Sequence, residues 1–523
     1  MANKNERTDV LIVGAGISGL SLALYLSEQS EKHKIVVMAK GPLELCNTVM
    51  AKGGVAAVHD FTKDSFEQHI ADTYAAGLKK GEMSVIEEVV KVAPERIKDL
   101  IRWGVAFDYN GKDFDLHQEG GHMHQRILHH ADYTGKEIHE KLLLAAQQKS
   151  NVKLIQNTMG VDFYSAGNRI CGLLYLDEIN NLKIVHAKAF VLATGGSGQL
   201  FAHTTNSKIA TADGVAMAAR IGAEIKDLQY IQFHPTAIYK KGAKQLELLT
   251  EALRGGGAHL INEKGERFMF AYDEAGELAN RAVVSEAIFK ELKKSNTDYL
   301  YLKLSHLDQK ELRHKFPSAY NSCLKTAYDP AKEAIPIVPA AHYQCGGILV
   351  DRVGKTNIDN LYAIGECACT NLHGANRLAS NSLSEALVYA HNAAQSLGKL
   401  LMQSAFDYLH FNDEAFNFEQ NPLLLETKEN SFEINTKNLQ IQIDEIAVEL
   451  SNIHCGEYTI DNFEETALRL STLKKQLNKH DFILNKKVAE IRNIVEVSIL
   501  YLEEKKQSLF AQNSITLEND FIV

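Results

Sequence analysis

Three glycines constrain this chain more than any other feature. Val10-Leu11-Ile12-Val13 runs directly into Gly14-Ala15-Gly16-Ile17-Ser18-Gly19, and Ser18 to Ser27 continues with helical character. A short apolar run rich in β-branched residues reads as a buried parallel strand. The G-x-G-x-x-G that follows brings a helix N-terminus against a pyrophosphate. Gly14 permits the tight turn, Gly16 lets a phosphate approach the backbone, and Gly19 lets helix and strand pack closely. Ile35-Val36-Val37-Met38 reads as a second strand. The beginning of the chain is therefore expected to form an open α/β sheet that holds a dinucleotide. Val10 to Ser27, preceded by Lys4 and Arg7, also has the outline of a signal peptide or short membrane span. The glycines inside it, and the absence of a small-x-small cleavage site after it, favour a buried strand and helix. A cytoplasmic protein with no membrane association is expected.

The rest of the chain builds around that unit. Its 523 residues suggest roughly three domains. Phe190-Val191-Leu192-Ala193 and Leu361-Tyr362-Ala363-Ile364 are further short apolar runs, each ending at a glycine turn (Gly195-Gly196 and Gly365). Strand ends of this kind are where an open α/β sheet holds its ligand. Five of the eight prolines lie between 235 and 339, which points to an inserted domain. Past the polar stretch 403–440 the pattern is helical: Leu470, Leu473 and Leu477 share one face, as do Val488, Ile491, Val495, Ile499 and Leu502. The expected division is 1–227 with 343–402 as one discontinuous domain, 228–342 as a cap, 403–440 as a linker and 441–523 as a helical domain. Seven Cys with no CxxC pair suggest a reducing compartment. A net charge of −10 argues against nucleic acid as a partner, while leaving room for a local basic pocket.

The acid that usually ends the second strand is missing. Ala39 stands in its place, followed by Lys40, which could contact the adenosine part or its phosphate. This disfavours NAD more than a flavin dinucleotide held at several other points. Asn47-Thr48-Val49-Met50-Ala51-Lys52-Gly53-Gly54-Val55-Ala56-Ala57, Ala193-Thr194-Gly195-Gly196, Thr211-Ala212-Asp213-Gly214 and Leu361 to Glu366 resemble, in order, the FAD motifs of the succinate dehydrogenase/fumarate reductase flavoprotein superfamily. Within it the chain most resembles the L-aspartate oxidase family, continuously from about residue 8 to 400. The resemblance implies an α/β fold: a Rossmann-like FAD-binding domain, an inserted α+β capping domain and a C-terminal helical domain. It implies FAD along Gly14, Ala15, Gly16, Ile17, Ser18 and Gly19, then Lys40, Asn47, Thr48, Val49, Met50, Ala51, Lys52, Gly53 and Gly54, then Met159, Gly160, Asp213, Glu366, Ser382 and Leu383. Asp213 and Glu366 are acceptors suited to ribose or ribityl hydroxyls; Glu366 also reads as a helix N-terminal acid. Relatives that bind flavin covalently carry a His where this chain has Asn47, and no His lies between His33 and His59, which implies a non-covalent cofactor. Lys52 replaces the family's usual Gln.

Polar groups outside the nucleotide motifs could converge on a small dianion. They are Gln232 and His234, Thr250 and Glu251, Arg281, His342 and Tyr343, and Arg377 with Ser380. Arg forks onto a carboxylate with two parallel hydrogen bonds, and a dicarboxylate needs two such anchors. The reading is a pocket of fixed cations, Arg281, Arg377, His234 and His342, gripping both ends of a four-carbon acid. The resemblance makes His234, Thr250, His342 and Arg377 carboxylate clamps and Arg281 the proton-transfer group. Glu251 either orients Arg281 or Arg254, or is a surface ion-pair partner. Between His117 and His130 the chain carries Glu119-Gly120-Gly121-His122-Met123-His124-Gln125-Arg126. Its histidines lack Cys partners and zinc-type spacing, so no metal is expected. The resemblance reads Glu119 as the group facing a substrate ammonium; the alternative is a solvated loop acid. A carboxylate there repels a plain dicarboxylate unless an amine is present.

What the resemblance implies is an enzyme. It would oxidise L-aspartate to 2-iminosuccinate by hydride transfer to FAD, with dioxygen or fumarate as acceptor. That is the first step of NAD biosynthesis through quinolinate, with functional coupling to quinolinate synthase. A soluble fumarate reductase or succinate dehydrogenase-type flavoprotein is the alternative. The C-terminal helical tail departs most from the family pattern, and the sequence assigns it no role.

Overall fold

The computed structural model describes residues 6–403, 436–456, 458–478 and 484–519. Strand Glu6–Val13 lies inside a seven-stranded sheet. On one side it pairs in parallel with Ile35–Met38, and on the other with Leu182–Leu192. Val152–Ile155 extends the sheet beyond Ile35–Met38, again in parallel. Two antiparallel strands, Arg169–Leu176 and Met159–Ala166, extend it past Leu182–Leu192. Leu361–Ala363 pairs in parallel with Phe190 to Leu192, so the two late apolar runs of the sequence end side by side. Val10, Leu11 and Ile12 are covered on both faces, as a continuous apolar run in a parallel strand requires.

Helix Ile17–Gln29 starts at the glycine turn and is buried from Ile17 to Ser27. It packs against helix Asn381–Gln403, which explains why this stretch is apolar all round. Among the described residues no helix is long and apolar enough to cross a membrane.

A second sheet lies within 231–344. It is antiparallel, in the order Ile231–Ile238, Ile335–Gln344, Leu300–Lys303, His259–Ile261. Two of the prolines inside its strands, Pro235 and Pro339, sit where the ladder breaks: the register shifts between His234–Ala340 and Ala237–Val338. Helix Arg281–Ser295 packs on this sheet, and Leu249, Leu260, Val284, Ile288, Leu302 and Ile337 give it an apolar core of its own.

Most of the linker expected over 403–440 lies outside the described residues, and the next helix begins already at Thr436. Helices Thr436–His454, Ile460–Leu477 and Lys486–Asn519 follow. Leu470, Ile491 and Tyr501 are fully buried in the same core as the nucleotide sheet, so these helices dock on the main body.

Candidate functional site

One cavity of about 370 Å³ runs from the glycine turn, past the ends of the nucleotide strands, to the face of the second sheet. At its nucleotide end the wall is largely backbone. Gly14 has φ +121°, and a Cβ there would lie 2.0 Å from the Ala193 carbonyl oxygen, so both the turn and the strand beside it demand glycine. Gly14 to Ser18, Lys40, Asn47, Thr48, Met50 to Gly54, Met159, Gly160, Asp213, Glu366, Ser382 and Leu383 all line the cavity. Gly19 and Val49 lie outside the lining. Gly19 has a packing role instead, since a Cβ there would meet the Gly14 carbonyl at 2.0 Å.

Polar groups are spaced along this wall. Thr48 Oγ1 accepts a hydrogen bond from the Ile17 N–H at the helix start (3.1 Å). Asn47 donates to Glu366 Oε2 (3.3 Å) and accepts from the Ser207 N–H (2.9 Å). Glu366 also accepts from the Gln344 N–H (3.1 Å), and burial pushes its carboxyl up to about 6. An elongated cavity with a helix N-terminus beside it and buried acceptors at two points fits a dinucleotide. Thr194, Thr205, Asn206, Ile209 and Met217 also line it, as do Leu248 and Glu247. No motif marks most of these, because each reaches the wall from a turn whose place depends on the whole fold.

The other end is made of charged side chains. Arg281 and Arg377 both donate to Gln232 Oε1, each at 3.2 Å. Gln232 Nε2 in turn donates to Asn376 Oδ1 and the Arg377 carbonyl, both at 2.7 Å. Gln232 was expected to touch substrate. It stands behind the cavity wall and spaces the two guanidinium groups. Glu251 is buried and bridges Arg281 Nε and Arg254 Nη2, the latter at 3.0 Å. Burial opposes its charge, but the two guanidinium groups hold its carboxyl down to about 2. The surface ion-pair reading of Glu251 is therefore set aside. Arg377 lies over the Tyr343 ring, 4.4 Å from its centroid. Tyr343 is held from behind by Glu385 Oε2 (3.1 Å).

His234 and His342 sit on adjacent strands of the second sheet with ring centroids 5.3 Å apart. Both line the cavity. Burial, and then the nearby guanidinium charges, hold both imidazoles well below the ordinary histidine range. The expectation that all four are fixed cations is corrected: of them Arg281 and Arg377 are cations, and the two imidazoles are neutral hydrogen-bond partners. Thr205 Oγ1 meets His342 Nδ1 at 2.7 Å and orients that ring. Thr250 lines the same wall.

The Glu119 loop folds over this end. Glu119 faces the cavity, and Oε2 accepts from Ser380 Oγ, whose residue holds a left-handed φ of 60°. A Cβ at Gly120 would lie 2.1 Å from Glu251 Oε1, so the loop can close against that carboxylate only with glycine there. The remaining motif residues fasten the loop. His122 bonds the Ala379 carbonyl (2.9 Å) and Arg126 Nη1 (2.9 Å). Arg126, fully buried, grips Asp64 with two nitrogens (2.7 and 2.8 Å) and Asp72 with one (2.6 Å). Near the loop, Asp115, His117 and His129 bring ligand-type atoms within 4.8 Å of one another. The two imidazoles are stacked, however, 3.5 Å apart and 17° from parallel, so their in-plane lone pairs run side by side rather than converge.

Known proteins match this architecture. The FAD binding domain family covers residues 9–383. The L-aspartate oxidase of Yersinia pestis is 38% identical over 96% of this chain and 94% of its own length. That of Clostridium perfringens is 41% identical over 75% of this chain and 87% of its own. Among solved structures, a quinol fumarate reductase variant from E. coli superposes with a TM-score of 0.85 at 28% identity, covering 96% of this chain and 88% of that one. With matches of this length and identity, the chain belongs to the FAD binding domain family and, within it, to the L-aspartate oxidase family.

Proposed function

We propose that the protein oxidises L-aspartate to 2-iminosuccinate, with non-covalent FAD as cofactor and dioxygen or fumarate as final acceptor. FAD, when bound, supplies the hydride acceptor; the chain supplies orientation and charge matching. Arg281 and Arg377, spaced by one glutamine oxygen, take the two carboxylates. Neutral His234 and His342 hold the acid by hydrogen bonds without adding charge. Glu251 fixes Arg281 from behind. The observation that carries the reading is Glu119, a carboxylate on the cavity wall that also holds the two guanidinium groups. A plain dicarboxylate gains nothing from it, whereas an ammonium does. The names of the relatives support the same substrate. The role in NAD biosynthesis, a cytoplasmic location and hand-over of product to quinolinate synthase belong to this proposal.

The test is anaerobic mixing of the flavin-loaded protein with L-aspartate, then with succinate, while the visible flavin absorbance is followed. Aspartate should bleach it and succinate should do so poorly. Glu119→Gln should raise the KM for aspartate roughly tenfold or more, the loss of one charged contact, and leave fumarate reduction nearly unchanged. Equal effects on both substrates would show that Glu119 does not read the amine. Bleaching by succinate alone would favour a fumarate reductase, the activity named for the E. coli structure above.

A further inference from the structure

The C-terminal helix reaches the nucleotide end of the cavity. Lys40 lies just past strand Ile35–Met38, on the cavity wall, one residue beyond Ala39, which occupies the place where a dinucleotide fold usually keeps its ribose-binding acid. Its ammonium has three N–H donors and three acceptors around it: Thr211 Oγ1 at 2.5 Å, Asp213 Oδ2 at 2.7 Å and Glu490 Oε1 at 2.9 Å. With every proton committed, Lys40 has none left for a phosphate. It acts as a brace, and the group it steadies is Asp213.

Asp213 is oriented from both sides. Oδ1 accepts from Thr211 Oγ1 (2.9 Å) and from Asn493 Nδ2 (2.8 Å), while Oδ2 accepts from Lys40. Two donors saturate Oδ1, and Oδ2 keeps one acceptor site. Glu490 and Asn493 are three residues apart in helix Lys486–Asn519 and so share a face. Neither lines the cavity; both stand directly behind it. Between them, Arg492 bonds Asp162 Oδ2 (2.8 Å), whose other oxygen takes Arg220 Nε (2.6 Å). Asp213 and Arg220 are the first and last residues of one short helix, so both its ends are tied to positions 490–493.

We propose that Glu490 and Asn493 are positioning residues for the dinucleotide: the C-terminal helix sets Lys40 and Asp213 so that the Asp213 carboxylate stands in for the missing ribose-binding acid at the adenosine end. The inference rests on FAD as the ligand of this cavity. Removing the Glu490 charge leaves Lys40 with Asp213 as its sole carboxylate partner and draws that carboxylate away from the cofactor. Removing the Asn493 amide frees Asp213 to rotate.

The test is titration of apoprotein with FAD, and separately with FMN, which lacks the adenosine half. Wild type is measured first, and failure to bind FAD at all would remove the reading beneath the proposal. Glu490→Gln and Asn493→Ala should each raise the FAD Kd about tenfold, the loss of one charge-assisted bond. Glu490→Asp should restore part of it, and FMN affinity should not move. The melting point of the apo variants tells a folding defect apart, because the proposal requires the rise in melting temperature on adding FAD to shrink. Unchanged FAD affinity in both variants, or the same loss for FMN as for FAD, would overturn it.

Discussion

At the nucleotide end the cavity wall is mostly backbone held by glycines and strand ends, with acceptors set at intervals. At the other end it is polar and charged side chains drawn from six separated stretches, around residues 119, 234, 250–251, 281, 342–343 and 377–380, wedged against one another. Backbone walls tolerate no new atoms but little charge is at stake in them. Charged walls tolerate small shape changes but fail when one partner is lost. The two ends should therefore break in different ways.

The largest effect belongs to the backbone wall. Gly14→Val places a branched side chain at φ +121° and within 2.0 Å of a carbonyl oxygen of the neighbouring strand. Nothing flexible can yield, and the strain adds to the clash. Purified protein should carry less than about a tenth of the wild-type flavin per chain, or fail to accumulate in soluble form. Wild-type flavin content would mean that the turn is not the nucleotide seat.

At the charged end the corresponding change is Glu251→Gln, which preserves shape and removes one charge. Arg254 and Arg281, both buried, lose their shared counter-ion. Stranding buried charge costs about 3–5 kcal/mol, read as a lower urea midpoint. Flavin content should stay near wild type while aspartate turnover collapses, because Arg281 loses the group that aims it. If flavin content fell as far as turnover, the separation between the two ends would be gone.

This contrast also explains what the sequence disclosed. A glycine turn is a local object, so strand, turn and helix were legible from ten residues, as was the order of the later strand ends. The charged end is a set of encounters. Glu251 could be read as a surface acid or a bridge because only the docked cap decides which. The residue type of Gln232 fits a substrate contact, and its place one layer back depends on a bulged strand. The neutrality of the two histidines comes from burial and then from the nearby Arg281 and Arg377 charges, and neither has a signature in spacing. Glu490 lies 450 residues from Lys40, and no motif links them.

Acid should also find the charged end first. Burial, then the Arg126 charge, hold His69 down to about 3, and burial holds His122 at about 4. His234 and His342 are lowered in the same sense. In the unfolded chain each imidazole takes up a proton near pH 6.5. Between about 6.5 and 4 the unfolded state therefore binds more protons than the folded one, and stability falls as pH falls. Each such group contributes up to about 1.4 kcal/mol per pH unit in that window, and the contribution fades away between pH 7 and 8. Urea midpoints should be nearly level from pH 8 to 7 and drop steeply from 6.5 to 5.5. His122→Gln should take roughly one group's share off the slope. A flat profile would mean that these rings are solvated.

The smallest effect falls where the two ends meet. Lys52, which stands where the resemblance implies Gln, lines the cavity between the glycine pair and the cap. Its ammonium donates to the Leu248 carbonyl (3.0 Å) and Ser322 Oγ (3.4 Å). Its nearest carboxylate, Glu247, is 3.9 Å away and mostly exposed. The contacts are thus hydrogen bonds to the cap with a weak ion pair behind them, and exposed pairs contribute about 0–1 kcal/mol. Burial lowers the ammonium's affinity for its proton, so holding the charge there also has a cost. Lys52→Gln keeps one donor for Leu248 and removes that cost, so the urea midpoint should shift by less than about 1 kcal/mol in either direction. The FAD Kd should move by less than about fivefold. A much larger loss of FAD affinity would show that the lysine charge acts on the cofactor directly, and that the wall between the two ends belongs with the charged end.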